Sequence, residues 1–255
     1  MKFKTLRQVL TIGAVAVASV YALPASAVPS FTFTEYGGFV GGQVATNTYV
    51  NAVGTGAPKP AALVTYSDMN WNNGESPKSS MNLTTVTGPS ALAPLTWTTI
   101  STLTHNNVII PTATSWGPQD IDGRFRITDS DGGAALQLDS EDIITINFSE
   151  TPNGTVCPGL NPLGSHCDDY FSFTAIGLAS LNFTANDGSK WAVDFRLGNL
   201  VNSFFDGVNT VYTAEATTSS LDVQALIHRV PEPATLLLTG LGLLGLGFST
   251  RRKQA

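Results

Sequence analysis

The residue best suited to proton chemistry in this sequence is His105, within the run Thr102-Leu103-Thr104-His105-Asn106-Asn107-Val108-Ile109. An imidazole titrates near neutrality and could act as acid, base or metal ligand. Its neighbours do not complete a catalytic set. No Gly-x-Ser-x-Gly elbow occurs in the chain, and no nucleophile stands at a recognisable spacing from His105. The plainer reading places His105-Asn106-Asn107 in a turn after a strand running from Leu95 to Thr104, where the side chains bond local backbone.

Four other groups could carry chemistry. Cys157 and Cys167 are the two cysteines, ten residues apart. Zinc knuckles use a Cys-x₂₋₄-Cys spacing, which this is not, so an exported chain would join them as a disulfide. Asp120-Ile121-Asp122-Gly123 and Asp129-Ser130-Asp131-Gly132-Gly133 are oxygen-rich turns that could hold calcium. They are not an EF-hand, because the fifth and twelfth positions counted from Asp129 hold Gly133 and Ser140. Trp71 and Trp116 lie among Gly, Asn and Pro, as exposed loop residues that stack on sugars would. Trp191 lies in an alternating strand and reads as core. Paired carboxylates could hydrolyse glycosides, but with this many acids the sequence selects no pair. No catalytic residue is assigned, and no cofactor is expected beyond the calcium option.

The elements that must position these residues are short strands. Phe31 to Thr34, Ile143 to Phe148, Tyr170 to Ile176 and Trp191 to Leu197 alternate apolar and polar residues. A period of two turns one face of a strand to a core and the other to water. Asn186-Asp187-Gly188 tips a hairpin between Leu181 and Leu197. A second hairpin is expected between Arg124–Thr128 and Ala135–Leu138, with further strands at Val208–Ala214 and Leu221–Ile227. Gly37 to Gly88 is rich in Gly, Asn and Pro and reads as long loops. Amphipathic helical spacing is absent from the body. The expectation is an antiparallel β-sandwich over residues 28–229, with a jelly roll as one form of it.

The ends have a different character. Lys2, Lys4 and Arg7 precede an apolar run from Val9 to Val20, and Ala25-Ser26-Ala27 follows with the small residues a signal peptidase requires. Residues 1–27 are therefore a secretory signal, cut after Ala27. At the other end Pro231-Glu232-Pro233 is followed by a largely apolar stretch of 17 residues from Ala234 to Thr250 and then by Arg251-Arg252-Lys253. As a helix that stretch is about 26 Å long, the short end of what spans a bilayer. The basic cluster stays cytoplasmic, which puts the body on the far side of the membrane. Between Val28 and Val230, seven Lys and Arg stand against eighteen Asp and Glu, a balance of −11. That charge argues against nucleic acid and against adsorption to anionic lipid.

Residues 230–255 resemble the PEP-CTERM sorting signal of Gram-negative bacteria: a Pro-Glu-Pro motif, a short hydrophobic helix and a basic end. The resemblance implies recognition by an exosortase, cleavage near Pro231-Glu232-Pro233, and a temporary membrane anchor before release to the cell surface or matrix. Thr104, His105 and Asn107 also look like the motif of the THxN family of PEP-CTERM proteins, with Trp97 upstream. That family supplies no activity to carry over. The expected partners are signal peptidase, exosortase, the membrane through the tail, and exopolysaccharide. The expected function is a non-catalytic envelope or biofilm-matrix protein. The alternatives are a secreted hydrolase of extracellular polysaccharide and a calcium-dependent glycan-binding or adhesion module.

Overall fold

The computed structural model describes residues 29–53, 65–71, 76–110, 115–129, 142–153, 156–173 and 180–231. The expected secretory signal with Ala25 and Ala27 lies outside the described residues. So do Asp131, the expected strand at 135–138, and the tail from Glu232 through Pro233 to Arg251, Arg252 and Lys253.

Every element among the described residues is a strand. In chain order they are β1 (Phe31–Val40), β2 (Thr48–Val53), β3 (Thr65–Trp71), β4 (Ser79–Thr85), β5 (Ser90–Leu92), β6 (Thr98–Asn106) and β7 (Trp116–Asp129). Then follow β8 (Asp142–Ser149), β9 (Asp169–Phe173), β10 (Leu181–Thr184), β11 (Lys190–Val201), β12 (Ser203–Phe205), β13 (Thr210–Thr213) and β14 (Thr218–Arg229). The period-two segments all became strands where they are described. In β1, Phe31 and Phe33 are buried while Thr32 and Thr34 are half-exposed. The hairpin over Asn186-Asp187-Gly188 joins β10 to β11, and Gly188 takes the positive φ its turn requires.

The strands form one curled antiparallel sheet, in the order β10-β11-β14-β6-β4-β3-β1-β7-β8-β9-β13-β12, with β2 on β3 and β5 on β1. The expected sandwich is thus a single sheet whose two halves face one another. The halves are hydrogen-bonded at a short seam: β1 pairs with β3 only at Phe39↔Tyr66 and Val40↔Thr65, but with β7 from Phe31 to Phe39. Gly37 lies just before that seam. A Cβ there would come within 3.2 Å of Leu83 Cδ2, so a side chain at this position would press on Leu83 and shift it slightly.

Two core clusters fill the space between the halves. One gathers Trp71, Met81 and Leu103 against Trp116, Phe148 and Phe171. The other gathers Phe31, Phe33, Ile127, Trp191, Val193 and Ile227. Strand β6 serves both. Its register against β14 skips Ile100, since Val223 faces Ser101 and Gln224 faces Thr99. The bulge turns Ile100 and Ser101 inward together, so one strand feeds Ile100 to one cluster and Leu103 to the other.

One expectation is corrected. Gly37 to Gly88 is not a run of long loops: its described parts contain the end of β1 and the whole of β2, β3 and β4. Its strands hide their apolar residues one at a time, as with Met69 and Trp71 in β3 and Met81 and Leu83 in β4. The expected strand Arg124–Thr128 forms as part of β7, and its expected hairpin partner at 135–138 lies outside the described residues.

Candidate functional site

Four inward-facing rows run toward one end of the first core cluster. On β6 the row is Leu103, His105, Asn107; on β8 it is Ile146, Phe148, Glu150; on β9 it is Phe173, Phe171, Asp169; from β13 it is Val211, Thr213, Glu215. Each starts apolar and ends in a carboxylate or an amide. Strands β8 and β9 pair Ser149 with Tyr170, so Glu150 and Asp169 fall at the next step of the same register. Strand β13 pairs Thr213 with Asp169. The sheet therefore brings together three acids that lie 19 and 46 residues apart in the chain.

One oxygen of each of Glu150, Asp169 and Glu215 lies within 4.8 Å of the other two. Their exposures are 3%, 0% and 6%, so water does not screen the charges from one another. The Thr151 N–H donates to Asp169 Oδ1 at 2.7 Å. Asn107 Nδ2 donates to Glu215 Oε2 at 3.0 Å, and Asn153 Nδ2 to Glu215 Oε1 at 3.3 Å. Burial, then the charges of Asp169 and Glu215, push the Glu150 carboxyl well above the usual range. Burial also raises Asp169 against the opposing Thr151 N–H, with the Glu215 charge adding to the rise. Burial raises Glu215, against the pull of Asn153, Asn107 and the nearby His166.

The disulfide Cys157–Cys167 forms as expected and closes the loop beside this cluster. Asp168 holds the loop together: its carboxylate accepts the Leu163 N–H at 2.7 Å, and its own N–H donates to Asn161 Oδ1 at 3.0 Å. Ser165 ties the loop to the acids, since its Oγ accepts the Glu215 N–H at 3.0 Å.

His105 is not in a turn. It sits inside β6, paired with Met81 on one side and Ser219 on the other, and is 3% exposed. Its ring stacks on Trp71 with centroids 5.3 Å apart, and Nδ1 lies 3.0 Å from Thr213 Oγ1. Burial lowers its pKa to about 3, so it is a neutral core residue near pH 7. The adjoining cavity, lined by His105, Phe171, Thr213 and Ser219, has space for little more than a water molecule. Thr104 faces the opposite side of β6, and Asn107 is the member of this motif that reaches the acids.

Trp71 and Trp116 are likewise corrected. They lie in β3 and β7, 1% and 6% exposed, in edge-to-face contact at 5.2 Å, and neither can offer a face to a sugar. Of the expected calcium residues, the described ones, Asp120, Asp122 and Asp129, do not converge. Asp120 and Asp129 are nine residues apart on β7, about 30 Å along an extended strand. Asp120 accepts from Gln43 and Thr145, Asp129 from the Asn186 N–H, and Asp122 is buried.

The exposed aromatic residues lie elsewhere. Tyr170, Tyr212 and Phe204 stand directly opposite one another on β9, β13 and β12, on the outer face at the edge of the sheet. Their centroids are 5.9 and 6.3 Å apart, and Tyr170 and Phe204 are 37% and 45% exposed. Sequence reasoning missed both this row and the acid cluster. Tyr170 begins the alternating stretch read as a strand, and an alternate-residue count places it on the outward face. An acid in the apolar register, as in Ile146-x-Phe148-x-Glu150, was the available signal for the cluster.

Chain geometry at the C-terminus leads to the family comparison. Strand β14 is paired on both sides, ends at Arg229, and is followed by a last bond from the Val230 N–H to Lys190 O at 2.8 Å. Pro231 is exposed. From this point, over residues 229–253, the chain matches the PEP-CTERM protein-sorting motif. The tail is a sorting signal, and the chain is an exported, membrane-anchored precursor processed by exosortase for the cell surface. No curated protein matches the chain.

Proposed function

We propose that the β-domain is a non-catalytic module that associates with extracellular polysaccharide in the envelope or biofilm matrix of a Gram-negative cell. We read Thr104, His105 and Asn107 as its THxN motif, of which His105 and Asn107 help build the interior. The outward row of Tyr170, Tyr212 and Phe204 carries the proposal. Three neighbouring aromatic rings at the sheet edge, each tilted 45° to the next, offer apolar contact to successive sugar rings, and an acidic body suits a neutral glycan.

The hydrolase reading is weaker on geometry. A glycosidase needs two carboxylates about 5–9.5 Å apart that flank a sugar in an open cleft. The three acids that come together here are sealed from solvent and cannot flank a sugar. His105, the other acid–base candidate, is neutral and enclosed.

The test is cosedimentation of the full chain with the exopolysaccharide of its own cells. Replacing Tyr170, Tyr212 and Phe204 together by alanine should weaken binding about tenfold or more, at roughly 0.5–1.5 kcal/mol per aromatic contact. Unchanged binding would remove the aromatic row from the proposal, and release of soluble sugar would make the protein an enzyme.

A further inference from the structure

The acid cluster poses a problem that the polysaccharide reading leaves unsolved. Three carboxylates share one buried corner, and the other groups acting on them are Thr151, Asn107 and Asn153 as neutral donors, with His166 acting only on Glu215. Neutral donors do not satisfy the set. Apart from the contacts of Glu150 with Asp169 and of Asp169 with Glu215, which need a shared proton, no hydrogen bond from the described residues reaches Glu150 Oε1, Glu150 Oε2 or Asp169 Oδ2, all buried. A buried carboxylate without a partner costs several kcal/mol, so a corner built this way requires positive charge or protons.

A second observation favours a metal ion. Asn107 is 3% exposed, and its amide lies against both Asp169 and Glu215. Its carbonyl oxygen Oδ1 is buried and accepts no hydrogen bond. A neutral carbonyl gains little from shared carboxyl protons that already have carboxylate acceptors, whereas it is an ordinary ligand for a hard cation. The donor set is all oxygen, with no sulfur or ring nitrogen among its three acids and one amide, which selects against zinc and copper. Magnesium keeps several waters in a strict octahedron, and a sealed corner suits it poorly. Calcium takes six to eight oxygens in flexible geometry, and three carboxylates binding through one or two oxygens each supply most of that number.

We propose that Glu150, Asp169 and Glu215, with the Asn107 carbonyl, form a buried calcium site that locks the ends of β6, β8, β9 and β13 to the disulfide loop. The ion reduces the local charge from −3 to −1, and it is structural because no open face is left for a substrate. This site is independent of the aromatic row and is not the Asp120–Asp131 region.

The test uses the full chain in detergent, stripped with a chelator and titrated with calcium chloride by calorimetry near pH 7.5. One calcium ion per chain should bind, with an affinity on the order of 10⁻⁴ M or tighter, and should raise the melting temperature. Magnesium should bind at least about tenfold more weakly. Glu150→Gln should weaken calcium binding about 100-fold or more, yet melt no lower than the wild type in chelator, because it removes like-charge repulsion. Glu215→Gln gives the same reading should Glu150→Gln not be recovered folded. Asp120→Asn should bind as the wild type does. The proposal is overturned by no binding at about 10 mM calcium, by wild-type affinity in both glutamine variants, by loss of binding in Asp120→Asn, or by magnesium binding as tightly as calcium.

Discussion

Glu150, Asp169 and Glu215 were placed by the same alternation that placed Phe148, Phe171 and Thr213, and their titration is a consequence of that placement. In the chelated chain, all three folded-state values lie above the ordinary carboxylate values. Groups raised on folding stabilise fully below their unfolded values near 4.5 and 3.8, and that contribution is lost as pH rises through the raised values. His105 has the opposite sign. Its value falls from 6.5 to about 3 on folding, so its contribution is present above 6.5 and is lost as pH falls toward 3. Asp168 and His166 are the other ionisable groups of the adjoining loop. Above about pH 4.5 the raised acids outnumber the one lowered imidazole, so the metal-free chain should melt highest at about pH 4 to 4.5, with a falling limb on each side. Glu150→Gln should flatten the alkaline limb and leave the acid limb. Thermal melts across pH in chelator would check this, and a stability that climbs from pH 6 to 9 would contradict it.

Among the elements, the disulfide loop is the piece that depends most on a single link. Residues 157–167 contain no strand, and their order comes from Asp168, Asn161 and Ser165 together with the bridge. Closing a loop of this length contributes about 2–3 kcal/mol by restricting the unfolded chain. Replacing Cys157 and Cys167 together by serine should cost about that much in chemical denaturation. It should also loosen the corner where Glu215 is held through Ser165, so any bound cation should leave faster. A change below about 0.5 kcal/mol would show that the hydrogen bonds of Asp168 hold the loop unaided. Strands with two or more large apolar residues in alternation, such as β1, β8, β9 and β11, were legible in the sequence. Strands β2, β3 and β4 were not, because their flanks are rich in Gly, Asn and Pro and their inward positions include Ser79 as well as Met and Trp. The sharing of one residue type between turn and strand also misled the reading of His105-Asn106-Asn107, where Asn106 pairs within β6 and only Asn107 leaves it. The acid cluster was beyond reach for another reason. Its members meet only after β8, β9 and β13 have paired, and no local spacing records that.

For the whole molecule, the decisive geometry is where folding stops and sorting begins. Strand β14 lies between β11 and β6 and donates Leu221, Ala225 and Ile227 to the interior, so the domain cannot close without it. It ends at Arg229, and the sorting motif is matched from that same residue. The two functions of the C-terminal region are thus adjacent and overlap only at Arg229 and Val230. Pro231 lies outside the sheet, and a proline there has no N–H to extend the ladder and a fixed φ that suits an extended segment. Cleavage near Pro231-Glu232-Pro233 would remove the apolar stretch and the basic end while leaving every described strand and both core clusters whole. Replacing these three residues by alanine should therefore separate sorting from stability. The variant should accumulate as an uncleaved, membrane-held precursor, visible as a larger species in the membrane fraction. Its β-domain should melt within about 1 °C of the processed protein, because surface changes beyond the last strand shift stability by little. Normal processing of the variant would deny the motif its role as the exosortase recognition element. A large drop in melting temperature would mean that the segment after Arg229 packs on the sheet, and that release of the domain is coupled to a change in its fold.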